Sequence, residues 1–406
     1  HEEEWFQKWA QANKNWLSHG TLRLSYSLVG EQTTASNALA VFRSGIMWRP
    51  QGDQQEQYIY LSQLANSDLT YEKKKEFNIG VDLGFLNNRL NLSSDFYWRD
   101  NYDLMGYVNT PGAGGETRKF ANVASMRSHG LEATISSQNI RTKDFDWSTD
   151  LTYSYTKTKI KDVLSQANVI GLVYNSGSNI RKGYPHRSIF SIPFVGLNDE
   201  GIPQVINEKG EVTTTDINFQ EYQNLGFLKY EGPTEPTMNG GLNNTLRYKN
   251  WRLNIFVTYS FGNKIRLDPT FSSSYSDMSA MPKEFKNRWV MPGDEKITSI
   301  PAIASVRQYY NDTQLSFAYN SYNYSTERIA DGGFIRLKDV SLTYDVPRSF
   351  LSKIGLSTAA IKLDATNLCL LYADDKLNGQ DPEFVNSGGV ATPLSKQFTL
   401  TVRLGL

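Results

Sequence analysis

Covalent staples and metal-binding chemistry are nearly missing from this sequence. One of its 406 residues is a cysteine, Cys369, so neither a disulfide framework nor a thiolate metal site forms within the chain. His1, His19, His129 and His186 are scattered without metal-ligand spacing. Charge of one sign is missing too. The 42 Lys plus Arg balance 42 Asp plus Glu, which argues against nucleic-acid binding and against a charged tail. The run Lys73-Lys74-Lys75 is flanked by Glu72 and Glu76 and reads as a solvated strand end. No apolar run approaches the length of a membrane-spanning helix. No GxSxG string occurs, and Pro111-Gly112-Ala113-Gly114-Gly115 follows no βαβ unit, so neither a nucleophile elbow nor a phosphate cradle is expected. The adjacent acids Asp199-Glu200 and Asp374-Asp375 lie in turn-forming strings, whereas glycoside hydrolysis needs carboxylates opposed across a bond. The expectation is a chain with no catalytic residue and no cofactor.

Aromatics are plentiful, at 13% with 23 Tyr and 8 Trp, a composition that suits strands. The dominant signal is a period of two. Leu22, Leu24, Tyr26 and Leu28 alternate with Thr21, Arg23, Ser25 and Ser27. Phe77, Ile79, Val81, Leu83 and Phe85 alternate with Glu76, Asn78, Gly80, Asp82 and Gly84. The pattern returns at 89–99, 145–155, 242–261 and 397–406. In Phe334–Val346 the apolar parity slips, and a β-bulge near Lys338-Asp339 accounts for it. Helical pattern is confined to Glu2–Asn13 and to one turn at Arg348–Ile354.

Connections alternate in length. Leu86-Asn87-Asn88, Ile140–Asp144 and Lys249-Asn250 are short, while Asn101–Ala121, Lys161–Arg187, Lys264–Arg328 and Ala373–Ser395 are long. Short turns at one rim and long loops at the other are the signature of an up-and-down barrel. Twelve strands satisfy the parity, or fourteen if Ala38–Trp48 and Tyr58–Leu64 also cross, so about 12–14 are expected. Ser188–Leu197 and Ile202–Asn207 are the uncertain pair.

Alternation alone also suits a soluble sandwich with a dry core. The runs are longer than the 5–6 residues usual in globular strands and match the 9–11 of a tilted membrane strand. Aromatics close both ends of the apolar stripes, as a girdle at each lipid interface requires. Trp98, Trp147, Tyr153, Tyr155, Trp251 and Tyr259 are the predicted membrane-interface aromatics. The predicted fold is all-β, a transmembrane antiparallel up-and-down barrel. Lys73 and Lys75 would then sit near lipopolysaccharide phosphates or just beyond the membrane.

Several strings resemble the SusC/RagA family of TonB-dependent outer-membrane transporters. They include NSDLTYEKKKEFNIGVDLGFLNNRLNLSSDFYWR at 66–99, KNRWVMPGD at 286–294, DGGFIRLKDVSLTYDVP at 331–347 and LDATNLCLLY at 363–372. They run in the family's order from about Gly20 to the C-terminus. The resemblance implies a 22-stranded plugged barrel, of which residues 1–406 are the C-terminal part. The plug, the N-terminal strands and the TonB box would then be absent from this chain. A start at His1, with neither Met nor signal peptide, is expected of a processed or truncated chain. Two departures stand out: Leu406 ends the chain where members commonly carry an aromatic, and Cys369 stands where a phenylalanine-like residue is expected.

The resemblance further implies active import of glycans or peptides across the outer membrane of a Gram-negative, Bacteroidetes-like bacterium. A SusD-like surface lipoprotein and TonB would be partners, alongside the remaining barrel and plug segment and the surrounding lipid and lipopolysaccharide; nucleic acid would not. A passive porin, a structural surface protein and a soluble glycan-binding β-protein are the alternatives. The residues Tyr309, Tyr310, Asn311, Tyr319, Asn320, Tyr322, Asn323 and Tyr324 suit sugar stacking or peptide hydrogen bonding. Packing of loop on loop is the simpler expectation for them. Substrate-binding residues are not assignable from the sequence.

Overall fold

The computed structural model describes residues 3–4, 7–8, 16–31, 39–112, 117–174, 180–273, 275, 278, 281–351, 355–385 and 394–405. The expected helix at Glu2–Asn13 falls mostly outside them, as do Ala113–Gly115 and Leu406.

Strand β1 (Leu17–Glu31) is followed by β2 (Val41–Trp48), β3 (Gln55–Gln63), β4 (Glu72–Phe85), β5 (Leu90–Asn109), β6 (Arg118–Arg141) and β7 (Phe145–Val163). Short strands β8 (Ser188–Ser191), β9 (Phe194–Leu197), β10 (Pro203–Ile206), β11 (Val212–Thr213) and β12 (Lys229–Pro233) come next. Then follow β13 (Met238–Tyr248), β14 (Trp251–Phe261), β15 (Lys264–Arg266), β16 (Ile329–Asp331), β17 (Phe334–Asp345), β18 (Thr358–Tyr372) and β19 (Gln397–Gly405). One 10-stranded sheet, in the order β1-β4-β5-β6-β7-β13-β14-β17-β18-β19, forms a wall. Every neighbouring pair in it is antiparallel.

The wall therefore has ten strands, not the expected twelve to fourteen. Among the described residues, 41–63 pair with each other as β2–β3 and not with the wall, and the uncertain segments at 188–206 form small sheets off it. Asn101–Ala121, expected as a loop, mostly continues the ladder: β5 runs to Asn109 and β6 begins at Arg118. The reason is local. A shift at Asn101/Leu104, with Asp103 at φ 57°, lets the pairing resume, and Asn122 caps the irregularity by donating to the Asp103 and Thr70 carbonyls.

The short connections close as their residues allow. Leu86, Asn87 and Asn88 all have positive φ, as does Lys249; Asn tolerates this region, while Leu86 is held in it by the turn. The bulge at Lys338 is present. Phe256 pairs with Asp339 and Val257 with Leu337, so Lys338 is the extra residue. Across β17–β18 the ladder steps from Leu337↔Cys369 to Asp339↔Thr366, with Asn367 at φ 55°. A single helical turn, Arg348–Leu351, follows Pro347.

Burial is inverted relative to a soluble sandwich. The apolar stripes of the wall are bare: Leu22 is 66% exposed, and Leu400 64%. The three buried apolar clusters all lie in the long connections. One gathers Val169, Leu172, Phe190, Ile192 and Val205; a second gathers Phe271, Ala318, Tyr319 and Tyr322; a third gathers Ile265, Ala330 and Leu377.

Candidate functional site

The two faces of the wall carry different chemistry. On the polar face the ladder brings charges into register. Arg23 lies beside Asp82 and Asp95, and a Cβ at Gly80 would strike both the guanidinium and the Asp95 carboxylate. The glycine thus provides the space in which this triad sits. Arg99 donates to Glu76 at 2.7 Å; Arg127 donates to Asp100 at 2.6 Å on the opposite face, in the register step beyond Trp98. Ser136 donates to Asp150 at 2.7 Å and Gln138 to Asp146 at 2.7 Å. Tyr97 lies across Gly130, and its hydroxyl pairs with that of Thr156 at 2.6 Å.

The apolar face carries aromatics in two rows set by the register. Tyr248 pairs with both Phe145 and Trp251, and Trp251 with Tyr344, which makes one row beside the short turns. Tyr153, Gly240, Tyr259, Ile335 and Tyr372 align near the long loops, with Tyr155 one step higher. Trp98 pairs with Phe77 and stacks on it at 6.0 Å. Eight residues separate Trp251 from Tyr259, a rise of about 20 Å for a strand tilted about 40°. Trp147 stands one outward position above the lower row. Its indole donates to Asn244 Oδ1 at 3.0 Å, and Thr149 donates to the same oxygen at 2.8 Å. Asn139 donates in turn to Thr149 Oγ1 at 2.7 Å, and Ser137 to Asn139 Oδ1 at 2.7 Å, so the polar groups beside Trp147 on this face satisfy one another. Tyr259 crosses Gly240 to donate to the Thr152 carbonyl at 2.9 Å. Cys369 is exposed on this face, opposite Leu337.

Above the wall the long connections interlock. β13 and β14 have only 11 residues each, against 20 and 24 for β5 and β6. Loops fill the step: Thr156 N–H donates to the Thr237 carbonyl at 2.8 Å and Ile160 N–H to that of Tyr184 at 2.8 Å. Ile192 bridges Ser325, donating to Tyr324 and accepting from Thr326. Arg266 reaches the Phe190 carbonyl at 2.5 Å and Ser191 Oγ at 3.2 Å. Burial pushes its guanidinium down to about 10, against the opposing pull of Glu231. The segment after β18 is tied in by Asp374, which accepts from Asp331 N–H at 2.6 Å, and by Asp381, which accepts twice from Arg336. Asp374 thus has a structural role. Lys73 pairs with Asp103 at 2.7 Å.

The Tyr/Asn-rich segment divides. Tyr319, Tyr322 and Asn323 are buried, and burial raises both phenols well above their ordinary range. Tyr309, Tyr310, Asn311 and Asn320 face outward. Helix spacing could have separated these sets, because 315, 318, 319 and 322 share one stripe. Among the described residues no group of His, Cys, Asp and Glu is placed to hold a metal ion, and no helix is long and apolar enough to cross a membrane.

Known proteins share this architecture. The TonB-dependent receptor P3 of Formosa agariphila is 27% identical over 92% of this chain and 37% of its own length. The TonB-dependent receptor SusC of Bacteroides thetaiotaomicron is 24% identical over 97% of this chain and 38% of its own length. The chain thus spans less than two fifths of these curated relatives. The RagAB peptide importer in its 'open-open' state superposes with a TM-score of 0.76 at 23% identity, over 97% of this chain and 40% of that one, which speaks to the fold alone. The family model of the TonB dependent receptor-like β-barrel matches residues 9–368, and to that family the chain belongs.

Proposed function

We propose that this chain is the C-terminal part of the barrel of an outer-membrane importer of large nutrients, energised by TonB and working with a SusD-like surface lipoprotein. One observation carries this reading: the protein is apolar where it faces outward and keeps its buried clusters in the loops of one rim. A wall bare of cover on its apolar stripes belongs in lipid. Among the described residues both ends of the sheet, β1 and β19, are open, and an open strand edge is not tolerated in hydrocarbon. In this reading further strands close the barrel, supported by relatives more than twice as long.

The predicted girdle residues Trp98, Trp147, Tyr153, Tyr155, Trp251 and Tyr259 take the lipid interfaces in this reading, supported by the two rows on the apolar face. The charged polar face lines the lumen. The interlocked loops form the outer mouth, where a lipoprotein partner and a glycan or peptide substrate meet the transporter. The membrane is the outer membrane of a Gram-negative, Bacteroidetes-like bacterium.

The test is purification from detergent-solubilised outer membranes, with mass spectrometry of every chain and bound molecule, followed by uptake with and without TonB. Co-purification of plug-bearing sequence and a surface lipoprotein, with uptake lost on TonB depletion, is expected. A soluble, partner-free 406-residue protein refutes the proposal. A barrel that passes solute equally well without TonB is a porin.

A further inference from the structure

Two helices and a loop in the outer assembly meet at an open groove of about 420 Å³, within the size range of small-molecule sites. Helix Val169–Tyr174 contributes Tyr174, helix Leu315–Asn323 contributes Phe317 and Asn320, and the loop between them in space contributes Phe219 and Gln220. Tyr324 closes one end. Phe219 and Phe317 stack at 6.3 Å with 27° between planes, and Tyr174 meets Tyr324 edge to face at 5.9 Å. Tyr174 is 67% exposed and Phe317 41%, so ring surface is left bare in the groove.

The scaffold behind these rings is rigid. Leu315, Ala318, Tyr319 and Tyr322 are buried in the second cluster, and Tyr319 Oη donates to the Ala302 carbonyl at 2.7 Å. Phe317 and Asn320, three residues apart on the opposite stripe, are thereby held side by side. The Asn320 carboxamide makes no hydrogen bond among the described residues. Gln220 Oε1 accepts from Asn168 Nδ2 at 3.0 Å, which fixes that side chain and leaves its amide donors unpaired there.

We infer that this groove is a saccharide-binding subsite, taking a neutral oligosaccharide on its ring faces with Asn320 and Gln220 hydrogen-bonding sugar hydroxyls. Charge complementarity selects the ligand: among the described residues no carboxylate, lysine or arginine lines the groove, so none of them matches an acidic sugar or a free peptide terminus. An extended peptide is bound chiefly through main-chain bonds to an open strand edge. Helix walls offer none, because their backbone groups are bonded internally. Bare aromatic faces beside side-chain amides are instead the equipment for an uncharged ring with an apolar face and a polar rim. The cellular purpose of this subsite rests on the import reading, but its binding is measurable without transport.

The experiment uses the chain purified in detergent with the polypeptides that complete its barrel. It is titrated with neutral linear oligosaccharides of several linkages, and with N-acetylated, C-amidated neutral peptides of similar length. Oligosaccharide binding is expected. Phe317→Ala and Tyr174→Ala should each weaken it about five- to tenfold, while Phe317→Tyr, which keeps a ring face, retains it. Tyr310→Ala, at an exposed ring outside the groove, should leave it unchanged. Binding of none of the oligosaccharides overturns the inference, as does oligosaccharide affinity indifferent to Phe317→Ala and Tyr174→Ala, or peptide binding that Phe317→Ala abolishes. TonB-independent passage of a sugar bound in this way refutes the import reading and leaves the subsite standing; TonB-dependent uptake of peptides alone does the reverse.

Discussion

Removing the Asp381 carboxylate should release the last long connection from the wall without unfolding the wall. Arg336 on β17 donates from Nη2 to both carboxylate oxygens of Asp381, at 2.6 and 2.7 Å, with Glu383 at 3.2 Å. Arg336 is 2% exposed and Asp381 0%. Breaking such a buried pair from one side strands a charge and costs about 3–5 kcal/mol. Glu383 remains within reach but is 41% exposed and screened by solvent, so the lower end, about 3 kcal/mol, applies. Because β17 stays paired on both sides with β14 and β18, the cost appears as local opening. Amide hydrogen exchange across Lys376–Phe384 in Asp381→Ala should then accelerate about a hundredfold. Glu235→Ala provides the contrast. Its pair with Arg187 is 3.0 Å long, but the side chains are 55% and 68% exposed; such pairs contribute about 0–1 kcal/mol. The double variant Arg336→Met with Asp381→Leu should recover most of the protection, since a buried pair replaced by apolar groups is often neutral. Exchange within fivefold of the parent in Asp381→Ala, or a double variant no better protected than the single, refutes the reasoning.

Other consequences are testable in the same complete barrel. Tyr259→Phe removes the hydrogen bond to Thr152 and should lower stability by about 1 kcal/mol; Gly240→Ala, whose Cβ meets the Thr152 carbonyl and the Tyr259 hydroxyl, should cost more, about 2–3 kcal/mol, in urea unfolding. Equal effects of the two would remove the glycine from the account. Trp147→Asp puts a carboxylate on the apolar face and leaves Asn244 without its indole donor, so the outer-membrane level of heat-resistant barrel should fall; an unchanged level counts against Trp147 facing lipid. Hydrogen bonds from its own backbone N–H, from the Trp289 indole and from Gly293 N–H hold the Glu295 carboxyl below its ordinary value. The stabilisation they give is present above the usual carboxylate range and lost as pH falls through the lower folded value. The turn at 290–295 should therefore loosen in acid, read from the Trp289 indole N–H resonance, and Glu295→Gln should abolish that transition.

Much of the wall was legible because its determinants are local. Alternation sorts Phe77, Ile79 and Val81 from Asn78, Gly80 and Asp82 whatever the partner strand. A parity slip marks an extra residue, as at Lys338, and Asn87-Asn88 and Lys249-Asn250 announce tight turns. The resemblance to a transporter family rested on strings along the same stretches. The strand count failed at 41–63 and 188–206. Those residues have strand-like composition, but pairing is a choice among partners elsewhere in the chain: here β2 pairs with β3, β9 with β10, and β8 with β12, all off the wall. Proximity of Arg336 to Asp381, 45 residues apart, likewise has no local signature.

The Tyr/Asn-rich segment shows the division most plainly. Its residue types alone set its chemistry, rings and amides suited equally to packing or to a ligand. The tertiary structure decided that Tyr319 and Tyr322 pack while Phe317 and Asn320 face a groove, because a helix can bury only one stripe and the neighbouring connection selects which. Periodicity and turn chemistry act within a few residues, so they are written along the chain. Burial, long-range pairing and the meeting of loops depend on where distant segments converge, and only the folded molecule specifies that.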